Sequence, residues 1–269
     1  MSARLAILAL GLRERTRLIG WLSLSIVLLV AYVLAAWPWV RDDDSMAEAL
    51  EDLPEFLQAL MDLDTELYMT AAGYLDGQLL GMLLPVVLIV VAIGMGASQV
   101  AGREEAGTME VLLGAPVSRA SMALQCMGAL VVLLAILTGV AAVSLVVGNL
   151  VLDMGIGIGP LLAASMMAGL LGLYYGMLAL AIGALTGRSG MARGLAAVVA
   201  VASYLGTTLS RLVEQLEWIR SISAYHRYLD ARTIFDGLQA AAVAQLLVPI
   251  VVLAAVALWG LGRRDLGTP

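Results

Sequence analysis

Residues 120–148 read ASMALQCMGALVVLLAILTGVAAVSLVVG, a run with no formal charge anywhere in it. Wound as an α-helix it is longer than the roughly 30 Å of hydrocarbon in a bilayer. Five further apolar runs extend from Leu18 to Val40, Leu79 to Val100, Leu161 to Thr186, Gly194 to Leu212 and Ala240 to Leu261, and Arg211, near the end of one of them, is the single charge they contain. The expectation is an all-α polytopic membrane protein with six transmembrane helices. Composition agrees over all 269 residues: 61% are hydrophobic and 13% charged, with a mean hydropathy of +0.95. A water-soluble domain carries about 25% charged residues.

The same composition excludes several chemistries. There is no lysine, so all 15 basic residues are arginine, and a Walker A loop, a Schiff-base lysine and a Ser-Lys dyad cannot be built. One histidine, His226, and one cysteine, Cys126, exclude His-rich zinc sites, HExxH, CxxC pairs and intrachain disulfides. No metal or other cofactor is expected on this chain. The net charge of −6 is unevenly spread, because residues 41–78 hold eleven acids against Arg41 alone. The remainder is basic and suits an anionic lipid surface; no nucleic-acid partner is expected.

Arginine placement sets the expected orientation. With the N-terminus inside, ten arginines fall on inner segments and five on outer ones, which puts both termini in the cytoplasm. The first run is too long for a signal-peptide core and continues into Pro38-Trp39-Val40-Arg41-Asp42 instead of a small-residue cleavage site. Trp37, Trp39 and Trp259 are expected at the interfacial aromatic belts. Segment 1–17 alternates Leu5, Leu8 and Leu12 with arginines, the pattern of a cytoplasmic interfacial helix or of a basic tail that only sets topology. The acidic extracytoplasmic loop 41–78 opens on a capping box at Ser45 to Glu48 and carries Met46, Leu50, Leu53, Leu57 and Leu60 at helical spacing. Amphipathic helices are expected there. Leu209, Leu212, Val213, Leu216 and Ile219 suggest that the fifth span runs on into an exposed helix, and His226 reads as an exposed loop residue.

Between the second and third spans the chain reads GREEAGTMEVLLGAPVSR over residues 102–119. Met109, Leu112 and Leu113 share one face of a short helix, Glu104, Glu105 and Glu110 the other, and Pro116 limits its extent. A helix of this kind can simply lie on the membrane. The order Glu104, Glu105, Gly107, Thr108, Glu110, Leu112, Leu113, Pro116, Val117, Ser118, Arg119 resembles the ATP-binding-cassette type 2 export permeases. The stretch at residues 54–60, Gly73-Tyr74-Leu75, Pro85, and Ser223 with Tyr225 and Asp236-Gly237-Leu238 resemble one branch of them. Ser223-Ala224 stands where members often show Ser-Pro.

That resemblance implies a permease subunit of an ATP-driven exporter, without its own motor. Residues 103–115 would be a coupling helix docked on a separate ABC ATPase subunit, two copies of which bind ATP and Mg. Glu104, Glu105, Gly107, Thr108, Glu110, Leu112 and Leu113 are the candidate contacts, the carboxylates for basic partner groups and the leucines as an apolar anchor. A second copy of this or a related permease would complete the route across the lipid bilayer. The spans carry no charge at mid-membrane, which argues against a proton-coupled or voltage-driven mechanism. Tyr174 and Tyr175 are candidates to line the route or to bond a neighbouring helix. Gly172 and Gly176 form a GxxxG pair suited to helix packing.

Two rival readings differ in class. A membrane anchor or regulatory subunit would need far less membrane than six spans. An intramembrane protease could use paired glutamates, and the Glu104-Glu105 pair is similar to that of prenyl-protein proteases. That pattern wants an arginine where Met109 stands and histidines in later spans, where there are none.

Overall fold

The computed structural model describes residues 16–41, 65–105, 119–210 and 217–263. Among them the main elements are α1 (Thr16–Arg41), α2 (Ala71–Glu105), α3 (Arg119–Val151), α4 (Ile158–Thr186), α5 (Ser189–Leu209), α6 (Glu217–Ile222), α7 (Ala224–Asp230), α8 (Thr233–Asp236) and α9 (Ala240–Arg263). Among the described residues there is no strand. The protein is an all-α membrane protein, and among the described residues α1 to α5 and α9 are the six helices long and apolar enough to cross a bilayer. Alternate crossing leaves Thr16 and Arg263 at one end of the bundle, the terminal end, with the link between α2 and α3. The short helices α6 to α8 lie at the opposite, far end.

Helix α4 is the hub, packed against α2, α3, α5 and α9, while α1 sits at the edge against α3. Lipid tails are as apolar as leucine, so helices associate through close van der Waals fit more than through water exclusion. The small residues of α4 supply that fit. A Cβ at Gly172 would meet the Leu88 Cβ at 3.2 Å, and one at Gly176 would meet the Ala92 Cβ and Leu130 Cδ2 at 3.0 Å. A Cβ at Gly96 would run into the Gly176 carbonyl. The second and fourth spans therefore cross at the distance two glycines allow.

Several boundaries differ from the sequence reading. Helix α2 starts at Ala71 instead of Leu79, because Thr70 is its N-cap and accepts a hydrogen bond from the Gly73 amide at 3.0 Å. The acidic loop is shorter by that amount. Within α2 the stretches Asp76–Leu83 and Ser98–Gly102 are π-helical. Helix α5 starts at Ser189, five residues earlier than expected, and ends at Leu209 without running on. The Ser210 Oγ donates to the Thr207 carbonyl at 2.8 Å, and the Arg220 guanidinium donates to the Ser210 carbonyl at 2.6 Å, which folds α6 back against the end of α5. Between α3 and α4, the Asn149 amide donates to the Ile156 carbonyl at 2.9 Å and its oxygen accepts the Ile156 amide at 3.1 Å, closing the turn.

Of the expected aromatic belt, Trp39 is 80% exposed and Trp259 lies under the Arg263 guanidinium at 4.6 Å. Trp37 is instead buried, with its ring 5.4 Å from that of Tyr74. Of the expected interfacial segment 1–17, Thr16 and Arg17 already belong to α1, and the rest of it, like the amphipathic helices expected over residues 45–60, lies outside the described residues.

Candidate functional site

The candidate coupling residues fall on both sides of a boundary. Gly107, Thr108, Glu110, Leu112 and Leu113 lie outside the described residues; Glu104 and Glu105 close α2. Glu105 is exposed, yet its carboxylate is engaged. One oxygen accepts the Ser189 amide at 2.8 Å and the other accepts the Ser189 hydroxyl. Ser189 opens α5, whose first amides have no carbonyl one turn back to take. A carboxylate there satisfies one of them and complements the positive end of the helix dipole. The last residue of α2 is thus tied to the first residue of α5, at the point where the chain leaves for the segment 106–118.

Tyr174 and Tyr175 sit mid-way along α4, their rings edge-on with centroids 4.9 Å apart. Tyr175 is wholly enclosed, its hydroxyl turned toward the Ser203 side chain of α5 but outside hydrogen-bonding geometry. Tyr174 is half-buried. In this conformation Tyr175 is enclosed inside the bundle beside α5. Gly172 and Gly176 are used inside the subunit, against α2 and α3.

At the far end α7 gathers polar side chains that the sequence did not single out for a role. Its N-cap, Ser223, accepts the His226 amide at 3.1 Å and shares a hydrogen bond of 2.9 Å with Thr207 of α5. Ala224 occupies the first helical position, where a proline would also fit, so this departure from the Ser-Pro pattern leaves the turn intact. The Tyr225 hydroxyl donates to the Gly81 carbonyl at 2.5 Å and the Tyr228 hydroxyl to the Leu80 carbonyl at 2.8 Å. Burial pushes both phenols above their ordinary pKa, so both remain protonated donors. Arg227 donates to the Ser221 carbonyl at 2.6 Å and to the Gln245 carbonyl of α9 at 3.4 Å.

His226 is not the exposed loop residue the sequence suggested. It is half-buried in α7 and lines a cavity of about 570 Å³ with Arg220, Arg227, Asp230, Gln245 and Pro249. A second cavity, of about 220 Å³, is apolar and opens between α1, α2 and α3 beside Leu18, Gly94 and Leu133. Among the described residues no cluster of histidine, cysteine, aspartate and glutamate could hold a metal ion. The signal for the residues of α7 that sequence reasoning missed was the pair Pro85 and Pro249 inside apolar spans, since an interior proline leaves a carbonyl in need of another donor.

Six spans, a terminal-end connection tied by Glu105 and a folded far-end hairpin are the frame in which residues 5–266 match the family model described as ABC-2 family transporter protein. The chain belongs to that family. A comparison with curated proteins gave no match. As an ABC-2 family member the protein is a permease, the membrane subunit of an ABC transporter and not its ATPase. Family membership brings with it an ABC ATPase and a lipid bilayer as partners.

Proposed function

We propose that this permease is the membrane subunit of an ATP-driven exporter in the plasma membrane, with both termini cytoplasmic and segment 103–115 coupling it to a separate ATPase that holds ATP and Mg. Two copies of the ATPase act on two permease chains, which together enclose the route. The observation that carries the reading is the Glu105 carboxylate on Ser189. It means that a push on the segment between α2 and α3 reaches three spans at once: α2 and α3 through the chain, and α5 through the cap. The absence of lysine fits an energy source located on another subunit, and the arginine bias of the terminal end fits a cytoplasmic face. Because Gly172 and Gly176 are filled by α2 and α3, a second permease copy would dock through other faces.

The test separates docking from capping. Glu104→Arg with Glu110→Arg reverses two charges of the segment and leaves Glu105 on Ser189. The expected result is loss of ATPase co-purification and of permease-stimulated ATP hydrolysis, with the permease still folded. A complex that survives the double reversal, with hydrolysis unchanged, rules out the coupling role of this segment.

A further inference from the structure

Proline has no amide hydrogen, so inside a helix it strands the carbonyl that the amide would have taken. In the α register that carbonyl is four residues back: Gly81 for Pro85 in α2 and Gln245 for Pro249 in α9. The π-helical stretch Asp76–Leu83 ends with the Leu84 amide on the Leu79 carbonyl, five residues back. The return from that register to α bonding at Leu84 skips one carbonyl, so with Pro85 supplying no amide both Leu80 and Gly81 are left over. Within a membrane helix such a carbonyl is met by a neighbouring helix, a side chain or an ordered water.

Three donors meet those three carbonyls, and all three come from α7. Tyr228 donates to Leu80 at 2.8 Å, Tyr225 to Gly81 at 2.5 Å and Arg227 to Gln245 at 3.4 Å. The body of α7 is fixed to α5, since the Ser223 Oγ donates to the Ser203 carbonyl at 3.2 Å and Tyr225 packs edge-on against Tyr204 with centroids 5.1 Å apart. Helix α5 is the one capped at its other end by Glu105.

We propose that α7 is a clasp, and that Tyr225, Tyr228 and Arg227 are positioning residues which hold the carbonyls beside Pro85 and Pro249 and so fix the paths of α2 and α9 at the far end of the bundle. Helix α5 is the rod that carries the clasp. A displacement of α5 by its Glu105 tie moves α7 and draws the donors away from these carbonyls, letting α2 and α9 bend together at their prolines. This transport consequence rests on the exporter reading; the clasp itself does not.

The test is a pair of double-mutant cycles on the full chain in lipid nanodiscs, read by amide hydrogen exchange. Arg227→Gln is expected to raise exchange over residues 245–253 by about tenfold or more, a local opening confined to the turns around Pro249. Arg227→Lys should restore most of the protection. In the Pro249→Ala background the new amide takes the Gln245 carbonyl, so the Arg227→Gln effect should fall to about twofold or less. Tyr225→Phe, which deletes only a hydroxyl, should behave in the same way over residues 81–90 and lose its effect with Pro85→Ala. If either proline variant fails to fold, the other cycle decides alone. Additive effects, no local change, or loosening spread evenly to α1 would each overturn the clasp. The readout needs no ATPase, so it separates failure of the clasp from failure of the coupling role.

Discussion

Gly94 and Gly96 are neighbours in one apolar run, and only their surroundings tell them apart. A Cβ at Gly94 meets nothing within 4 Å, whereas one at Gly96 collides with the backbone carbonyl of Gly176. Gly96→Ala must therefore push α2 off α4 and is expected to destabilise by about 1–3 kcal/mol, the usual cost of overpacking. Gly94→Ala should be close to neutral. Thermal unfolding of the two variants in detergent checks the pair, and similar melting temperatures would contradict the close α2–α4 crossing. Glu105 makes a second contrast. Glu105→Gln keeps an acceptor for Ser189 and loses the charge, whereas Glu105→Ala loses both. Stability should fall in the order wild type, Gln, Ala, with the loss appearing as exchange at the first turn of α5.

Elements are defined here by what happens at their ends and at their prolines. The sequence located every span, since long apolar runs almost free of charge can hardly be read otherwise, but misjudged where α2 and α5 begin and where α5 stops. Those limits are set by side chains that hydropathy does not weigh: Thr70 caps α2 from three residues away, Arg220 closes the end of α5 from ten residues away, on a helix the apolar stripe had merged with it, and Glu105 holds the start of α5 from 84 residues away. In the link between α3 and α4, Asn149 and Ile156 are seven residues apart and the asparagine side chain is buried. Asn149→Ala leaves the Ile156 amide and carbonyl without their partner at the bundle edge and should cost about 1–3 kcal/mol. A cooperative melt with an unchanged midpoint would show that water replaces the bonds without loss. The tyrosines of α4 carry a similar lesson. Hydropathy could place Tyr174 and Tyr175 mid-span, but packing alone decides that Tyr175 is enclosed against α5.

For the whole molecule, the proposed orientation has a direct check. In a Cys126→Ala background, a membrane-impermeant maleimide applied to intact cells should label Asp44→Cys and leave Thr108→Cys untouched until the membrane is opened. The reverse pattern would invert the protein and remove segment 103–115 from reach of any cytoplasmic ATPase. Native mass measurement of the complex is expected to give two permease chains with two ATPase chains; a single permease chain in an active complex would refute the shared route.

Apolar run length and charge sparsity were enough to read a six-span, all-α membrane protein from sequence alone, because the bilayer imposes a length and a composition on anything that crosses it; the permease family came from the resemblance of residues 102–119 and is shown by the family match over residues 5–266. Only the tertiary structure decided which glycines let helices touch, that Glu105 caps α5, and that α7 reaches back to the carbonyls beside two prolines. Those are contacts between residues far apart in the chain, settled by how the helices pack, and helical periodicity within any one segment carries no information about them.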